Sequence, residues 1–172
     1  MTLTVAAFDA MPDDGAAALL RACCGAERWV AGMLGRRPLG TIGGALRAAD
    51  DVWRSLGEAD WREAFAHHPR IGESRAAVAQ DARAAAWSAG EQTGASTSTV
   101  TVQEQMARVN RDYERRFGHI YIVCASGRSA EELLSIARVR LTNDPVAELR
   151  VAAAEQHRIT RLRLEKLFAE SA

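Results

Sequence analysis

Helix signals recur along almost the whole chain and alternating strand patterns of convincing length are absent, so the fold open to it is all-α. With 172 residues there is enough chain for one core and too little for two comfortable domains. The expectation is a single-domain helical bundle over residues 1–172, with about seven to nine helices and one short extended, buried segment near 120–125. There Ile120, Tyr121, Ile122, Val123 and Cys124 form an apolar run with no partner strand, which reads as buried backbone between helices. Such backbone leaves N–H and C=O groups in need of partners, and a polar ligand can supply them.

Helix boundaries follow from local chemistry. Thr41 is placed to cap a helix running towards Leu56, with Leu46, Ala49, Val52, Trp53 and Leu56 on one face and Gly57 as its stop. A short helix through Trp61 and Phe65 then meets the corner His67-His68-Pro69-Arg70-Ile71-Gly72-Glu73, after which Ser74 is expected to cap an alanine-rich helix reaching Trp87. Thr101 with Glu104, and Ser129 with Glu132, have the spacing of capping boxes. The first opens a helix through Met106, Val109, Asn110 and Tyr113 to a stop at Gly118; the second opens one through Leu133 to Leu141. Asp144 and Pro145 give a cap and a first-turn proline to a long last helix through Leu149, Ala152, Ile159, Leu162 and Leu167, and Gly94 to Thr99 reads as a polar connection.

Three constellations could carry chemistry. Proline disfavours helix at the residue before it and Gly72 permits unusual backbone angles, so His67 and His68 end one element and can face a pocket. Imidazole both takes and gives a proton near neutral pH, although a surface or capping histidine is the commoner case at such a corner. Ser88, Glu91 and Gln92 have capping-box spacing, which places a helix start there. That start either satisfies its own N–H groups or binds a polar or anionic ligand. Arg158, Arg161 and Arg163 form a basic group on the last helix. Arg161 and Arg163 lie two residues apart and point to different faces, so at most one enters a given pocket, where its forked donors match a carboxylate.

Composition removes several classes of partner. Twenty-two basic and 22 acidic side chains cancel, which argues against a polyanion-binding surface and so against nucleic acid. No apolar run approaches the ~20 residues needed to span a bilayer, so no membrane partner is expected. Cys23 and Cys24 are adjacent and Cys124 stands alone, giving neither a disulfide framework nor Cys-x-x-Cys spacing. With no secretory pattern at the start and no Ser-Lys-Leu at the end, a cytoplasmic location is expected. His67 and His68 are too close in sequence to make two ligands on one helix face, and a metal site would need Glu73, Glu91 or His157 to converge on them. No metal and no other cofactor is expected.

Several blocks, taken in order, resemble one known family. They are His68-Pro69-Arg70-Ile71-Gly72-Glu73; Trp87-Ser88 with Glu91-Gln92; Asn110-x-x-Tyr113 with Phe117-Gly118; Tyr121-Ile122-Val123-Cys124-Ala125; Gly127-Arg128-Ser129; Arg140-Leu141-x-Asn143; and Ile159-Thr160-x-Leu162-Arg163-Leu164. The family is the 2-oxo-4-hydroxy-4-carboxy-5-ureidoimidazoline (OHCU) decarboxylases of urate degradation. The resemblance implies an all-helical, cofactor-independent enzyme, commonly a homodimer, that converts a small-molecule substrate, the ureidoimidazoline carboxylate, to (S)-allantoin. It implies that His68, directly before Pro69, is the catalytic histidine, with Glu91 and Arg163 beside it. It also implies substrate contacts from Pro69, Ser88, Gln92 and the stretch Tyr121, Ile122, Val123, Cys124 and Ala125, the last acting through backbone. Tyr121 stands where the family often has phenylalanine. Two rival readings are a non-catalytic helical binding or dimerisation module on the same framework, and a metal-dependent hydrolase using His67, His68 and Glu91.

Overall fold

The computed structural model describes residues 3–72, 82–96 and 99–168. Ten helices lie among the described residues and no strand does: α1 Val5–Asp9, α2 Asp13–Cys23, α3 Glu27–Leu34, α4 Ile42–Arg54, α5 Glu58–Ala66, α6 Ala82–Glu91, α7 Thr93–Ser96, α8 Val100–Phe117, α9 Ala130–Arg140 and α10 Pro145–Leu167. With the five-residue α1 and four-residue α7 set aside, eight remain, within the expected number. The all-α reading holds. None of these helices is long and apolar enough to cross a membrane.

The chain divides into two compact units, residues 1–64 with 157–172, and residues 65–156. In the first, α3 packs on α2 and α4. Its core holds Phe8, Leu20, Trp29, Met33, Ala45, Ala49 and Leu164, all without measurable exposure. Gly32 lets α3 and α4 approach closely, since a Cβ there would lie 2.7 Å from a Val52 methyl. Phe8 meets Phe168 edge to face at 5.3 Å. In the second unit α8 packs on α9, burying Ile71, Met106, Val109, Tyr113, Tyr121, Leu133 and Ala137 in one cluster.

Most caps are where local chemistry puts them. The Thr41 hydroxyl accepts from the Gly44 N–H at 3.0 Å. Ser129 and Glu132 close a reciprocal capping box, with 2.7 and 3.2 Å bonds. Asp144 Oδ1 accepts from Val146 N at 2.9 Å ahead of the first-turn Pro145, and Gly118 ends α8 at φ 70°. Three boundaries differ. The cap of α8 is Thr99, whose hydroxyl accepts from Val102 N, so Thr101 and Glu104 lie inside the helix and form no box. Gly57 does not stop α4, which ends at Arg54 with the Ser55 hydroxyl bonded to the Val52 carbonyl at 2.7 Å. Instead Gly57 opens α5, its N–H bonded to Asp60 at 2.9 Å and its carbonyl to Trp61 N at 3.1 Å. Third, α6 continues past Trp87 to Glu91. The cap expected at Ser74, like Glu73 and part of the Gly94–Thr99 connection, lies outside the described residues; Thr93–Ser96 is helical.

One polar group in the first unit gives a pH dependence. His157 stacks on Trp53 (centroids 5.6 Å apart, planes 8°). Its Nε2 donates to Asp50 Oδ1 at 2.8 Å, the oxygen that also accepts from Arg161 at 2.5 Å. Its Nδ1 is buried without a partner. Burial lowers the His157 pKa below its ordinary 6.5, and Arg161 and Arg54 lower it further against the opposing pull of Asp50. Because the unfolded chain takes up this proton first as pH falls, the contribution is full above pH 6.5 and is lost as pH falls through the lower folded value. Urea midpoints measured between neutral pH and mild acid are expected to fall more steeply for wild type than for His157→Gln; parallel profiles would show equal proton uptake by His157 in both states.

Candidate active site

The His67–Gly72 corner is built from backbone geometry and two long-range anchors. Helix α5 ends just before it, and the His68 N–H bonds to the Phe65 carbonyl at 3.1 Å. His67 is exposed and His68 is buried at 8% exposure, which separates the two imidazoles. Beyond the half-buried Pro69, Arg70 pairs with Glu114 through both nitrogens of its fork, Nη2 at 2.9 Å from Oε2. The Ile71 carbonyl accepts from Asn110 Nδ2 at 2.9 Å. Asn110 and Glu114 lie one turn apart on α8, so that helix sets the corner. Gly72 has φ 81°, a conformation that favours glycine, and its N–H bonds to Gln92 Oε1 at 3.2 Å. Gln92 thereby joins α6 to the corner.

Ser88 and Glu91 are buried, at 3% and 8% exposure, but not at a helix start. Both lie in the last turns of α6, where the Ser88 carbonyl accepts from Gln92 N at 3.1 Å. The capping-box and anion-binding N-terminus expected there are therefore corrected: a three-residue spacing also puts two side chains on one helix face, and that is its use here.

Residues 120–125 are neither helix nor strand, and Tyr121, Ile122, Val123 and Ala125 are buried while Cys124 is half-buried. The Tyr121 hydroxyl donates to the Leu133 carbonyl at 3.0 Å. Burial pushes its pKa up, so it remains a donor. The Ile122 carbonyl accepts from Arg140 Nη1 at 2.8 Å, and the Cys124 N–H donates to Glu155 Oε2 at 2.8 Å. Two of the backbone groups expected to await a ligand are thus held by the side chains of Arg140, which stands in one of the family-like blocks, and Glu155, which stands in none. Burial, followed by the nearby Glu155 and Glu91 carboxylates, raises the Cys124 thiol pKa against its hydrogen bond with Ser126. The corner, the end of α6 and this segment all belong to the unit of residues 65–156.

Arg163 belongs to the other unit, where it is 2% exposed and donates from Nη1 to the Ala22 carbonyl at 3.2 Å. Near it burial pushes the Cys24 thiol up to about 11. Arg161 faces elsewhere and pairs with Asp50, in keeping with their two-residue spacing. No group of three or more metal-binding side chains occurs among the described residues, so His67, His68 and Glu91 do not assemble as the metal reading required.

These features define a helical protein whose buried histidine, serine and glutamate come from a corner and a helix end near an extended segment. Residues 9–165 match the sequence profile of OHCU decarboxylase, and the chain belongs to that family. The uric acid degradation bifunctional protein TTL of Arabidopsis thaliana is 35% identical over 153 residues, 88% of this chain and 47% of that protein. The 2-oxo-4-hydroxy-4-carboxy-5-ureidoimidazoline decarboxylase of Amia calva is 36% identical over 83 residues, 47% of each. The chain thus spans about half the length of these curated relatives. A crystal structure of OHCU decarboxylase in the presence of (S)-allantoin matches with a TM-score of 0.77 at 33% identity, over 93% of this chain and all of that one. A crystal structure of (S)-allantoin synthase matches with a TM-score of 0.70 at 16% identity, over 94% of this chain and 53% of that one, a likeness of fold alone.

Proposed function

We propose that this chain decarboxylates 2-oxo-4-hydroxy-4-carboxy-5-ureidoimidazoline to (S)-allantoin without a metal or organic cofactor, as one functional domain over residues 1–172. The observation that carries the reading is the joint burial of His68, Ser88 and Glu91 in a chain of this family. An imidazole, a hydroxyl and a carboxyl group shielded from bulk water can act on a bound polar substrate, the imidazole by giving or taking a proton.

The substrate explains why side chains suffice. Its carboxylate sits on a carbon next to a ring C=N bond. As the bond to the carboxyl carbon breaks, carbon dioxide leaves and the electron pair passes into the C=N bond, whose nitrogen takes a proton. The resulting enol is then protonated at the former C=N carbon while its hydroxyl gives up a proton to become the ring carbonyl, and delivery to one face sets the chirality. His68 serves as the general acid/base, Glu91 orients it or the ureido group, and Arg163 holds an anionic oxygen. Ser88, Gln92, Pro69 and the backbone of Tyr121–Ala125 fix the heterocycle.

Circular dichroism tests this directly. With freshly generated substrate, purified protein is expected to speed the appearance of the (S)-allantoin signal and to give one enantiomer, unaffected by chelator. An unaccelerated, racemic time course would favour a non-catalytic binding module instead. The resemblance further implies a homodimer, for which light scattering should return twice the chain mass, and the three cysteines of the sequence, which make no disulfide framework, suit a reducing, cytoplasmic-type location.

A further inference from the structure

Two buried side chains hold the extended segment at alternate residues. Arg140, 6% exposed, donates to the Ile122 carbonyl, and Glu155, 8% exposed, accepts from the Cys124 N–H. In extended backbone the N–H and C=O of residues two apart face one edge, and those of the residue between them face the other. One edge at Ile122 and Cys124 is thus taken by a guanidinium and a carboxylate, which in an extended stretch leaves the opposite edge to the Val123 N–H and C=O. Val123 is 3% exposed and belongs to no strand ladder. A donor and an acceptor side by side match the acceptor and donor of an amide or ureido group, the two-point pairing used when a strand adds to an edge.

We infer that Arg140 and Glu155 are positioning residues, which clamp the Ile122–Cys124 backbone so that Val123 presents a fixed donor–acceptor pair to the ureido-type portion of the substrate. This rests on the decarboxylase reading above. Arg140 is suited to the task because its guanidinium is itself immobilised, paired with Glu148 at 2.6 Å and lying over the rings of Tyr121 and Tyr113 at 5.0 and 5.8 Å. Glu155 reaches the segment from α10, and neither residue needs to touch the reacting atoms.

The test compares Glu155→Ala with Glu155→Gln, whose carboxamide oxygen can still accept from the Cys124 N–H. Three quantities are measured: KM and kcat by circular dichroism, affinity for (S)-allantoin by calorimetry, and the thermal midpoint. Glu155→Ala is expected to raise KM and weaken (S)-allantoin binding about tenfold or more, with a smaller change in kcat, and Glu155→Gln to restore most of the loss. Unchanged KM and affinity in Glu155→Ala would overturn the inference, as would a Glu155→Gln loss equal to that of alanine. Should the alanine variant not fold, Arg140→Lys keeps a counter-charge for Glu148 but not the forked donor at Ile122. It is expected to show the same KM-weighted loss, and wild-type KM there would also overturn the inference. Wild-type protein that neither forms nor binds (S)-allantoin would instead remove the decarboxylase reading itself, whatever the variants do.

Discussion

Replacing His68 with alanine is expected to lower the enzyme-dependent rate of (S)-allantoin formation by about 10²- to 10⁴-fold, the range that a positioned proton donor or acceptor supplies. His68 is the buried member of the His67–His68 pair, held where α5 ends and Pro69 begins. Its loss removes the imidazole proposed to exchange a proton with the substrate, while the corner keeps its anchors to Asn110, Glu114 and Gln92. The variant should therefore fold and still bind (S)-allantoin, so the effect should fall on kcat and not on KM. His67→Ala is the matched control: an exposed neighbour should change the rate little. The residual product should also lose optical purity, because uncatalysed protonation has no preferred face. If His68→Ala retained full rate and stereoselectivity, the proton would have to come from another group and the assignment would be abandoned.

How much of this could be read from the sequence depends on how local each interaction is. Thr41, the Ser129–Glu132 box, Asp144 with Pro145 and Gly118 all act within a few residues of themselves, and each sits where its chemistry places it. Ser88 and Glu91 were misplaced for a definable reason. The three-residue spacing of a capping box is also the spacing of neighbours on one helix face, and only the true start of α6, upstream of both, separates the two. The pairings of the buried anchors are not legible because their partners lie far along the chain. A signal for them was nonetheless available. Leu133, Ala137 and Arg140 follow one another at four and three residues, which puts a charge on the apolar stripe of α9, and Glu148, Ala152, Glu155 and Ile159 do the same on α10. A charge on a buried stripe needs a partner, and its partner marks what the helix faces.

Arg140 carries the second large effect, on stability. Its Nε and Nη2 lie 2.8 and 2.6 Å from Glu148 Oε1, its Nη1 holds the Ile122 carbonyl, and Nη2 reaches the Tyr113 hydroxyl at 3.2 Å. Tyr113 in turn donates to Glu148, and Asn143 Nδ2 donates to the other carboxylate oxygen at 2.7 Å. Burial raises the Tyr113 pKa, which keeps its hydroxyl a donor. The Glu148 side chain is fully buried and that of Arg140 is 7% exposed, so Arg140→Met leaves a carboxylate in the interior without its counter-charge. Breaking a buried pair from one side costs about 3–5 kcal/mol, and the urea midpoint is expected to fall accordingly at an unchanged m-value. Adding Glu148→Gln to Arg140→Met removes the stranded charge but keeps an acceptor for Tyr113 and Asn143, so the double variant should recover a large part of that loss. The same logic makes Glu148→Gln alone costly too, since it leaves the buried Arg140 guanidinium without its counter-charge. A single-variant cost under about 1 kcal/mol, the scale of an exposed pair, would mean that water reaches Glu148 and that Arg140 is not the anchor of the Tyr121–Ala125 segment.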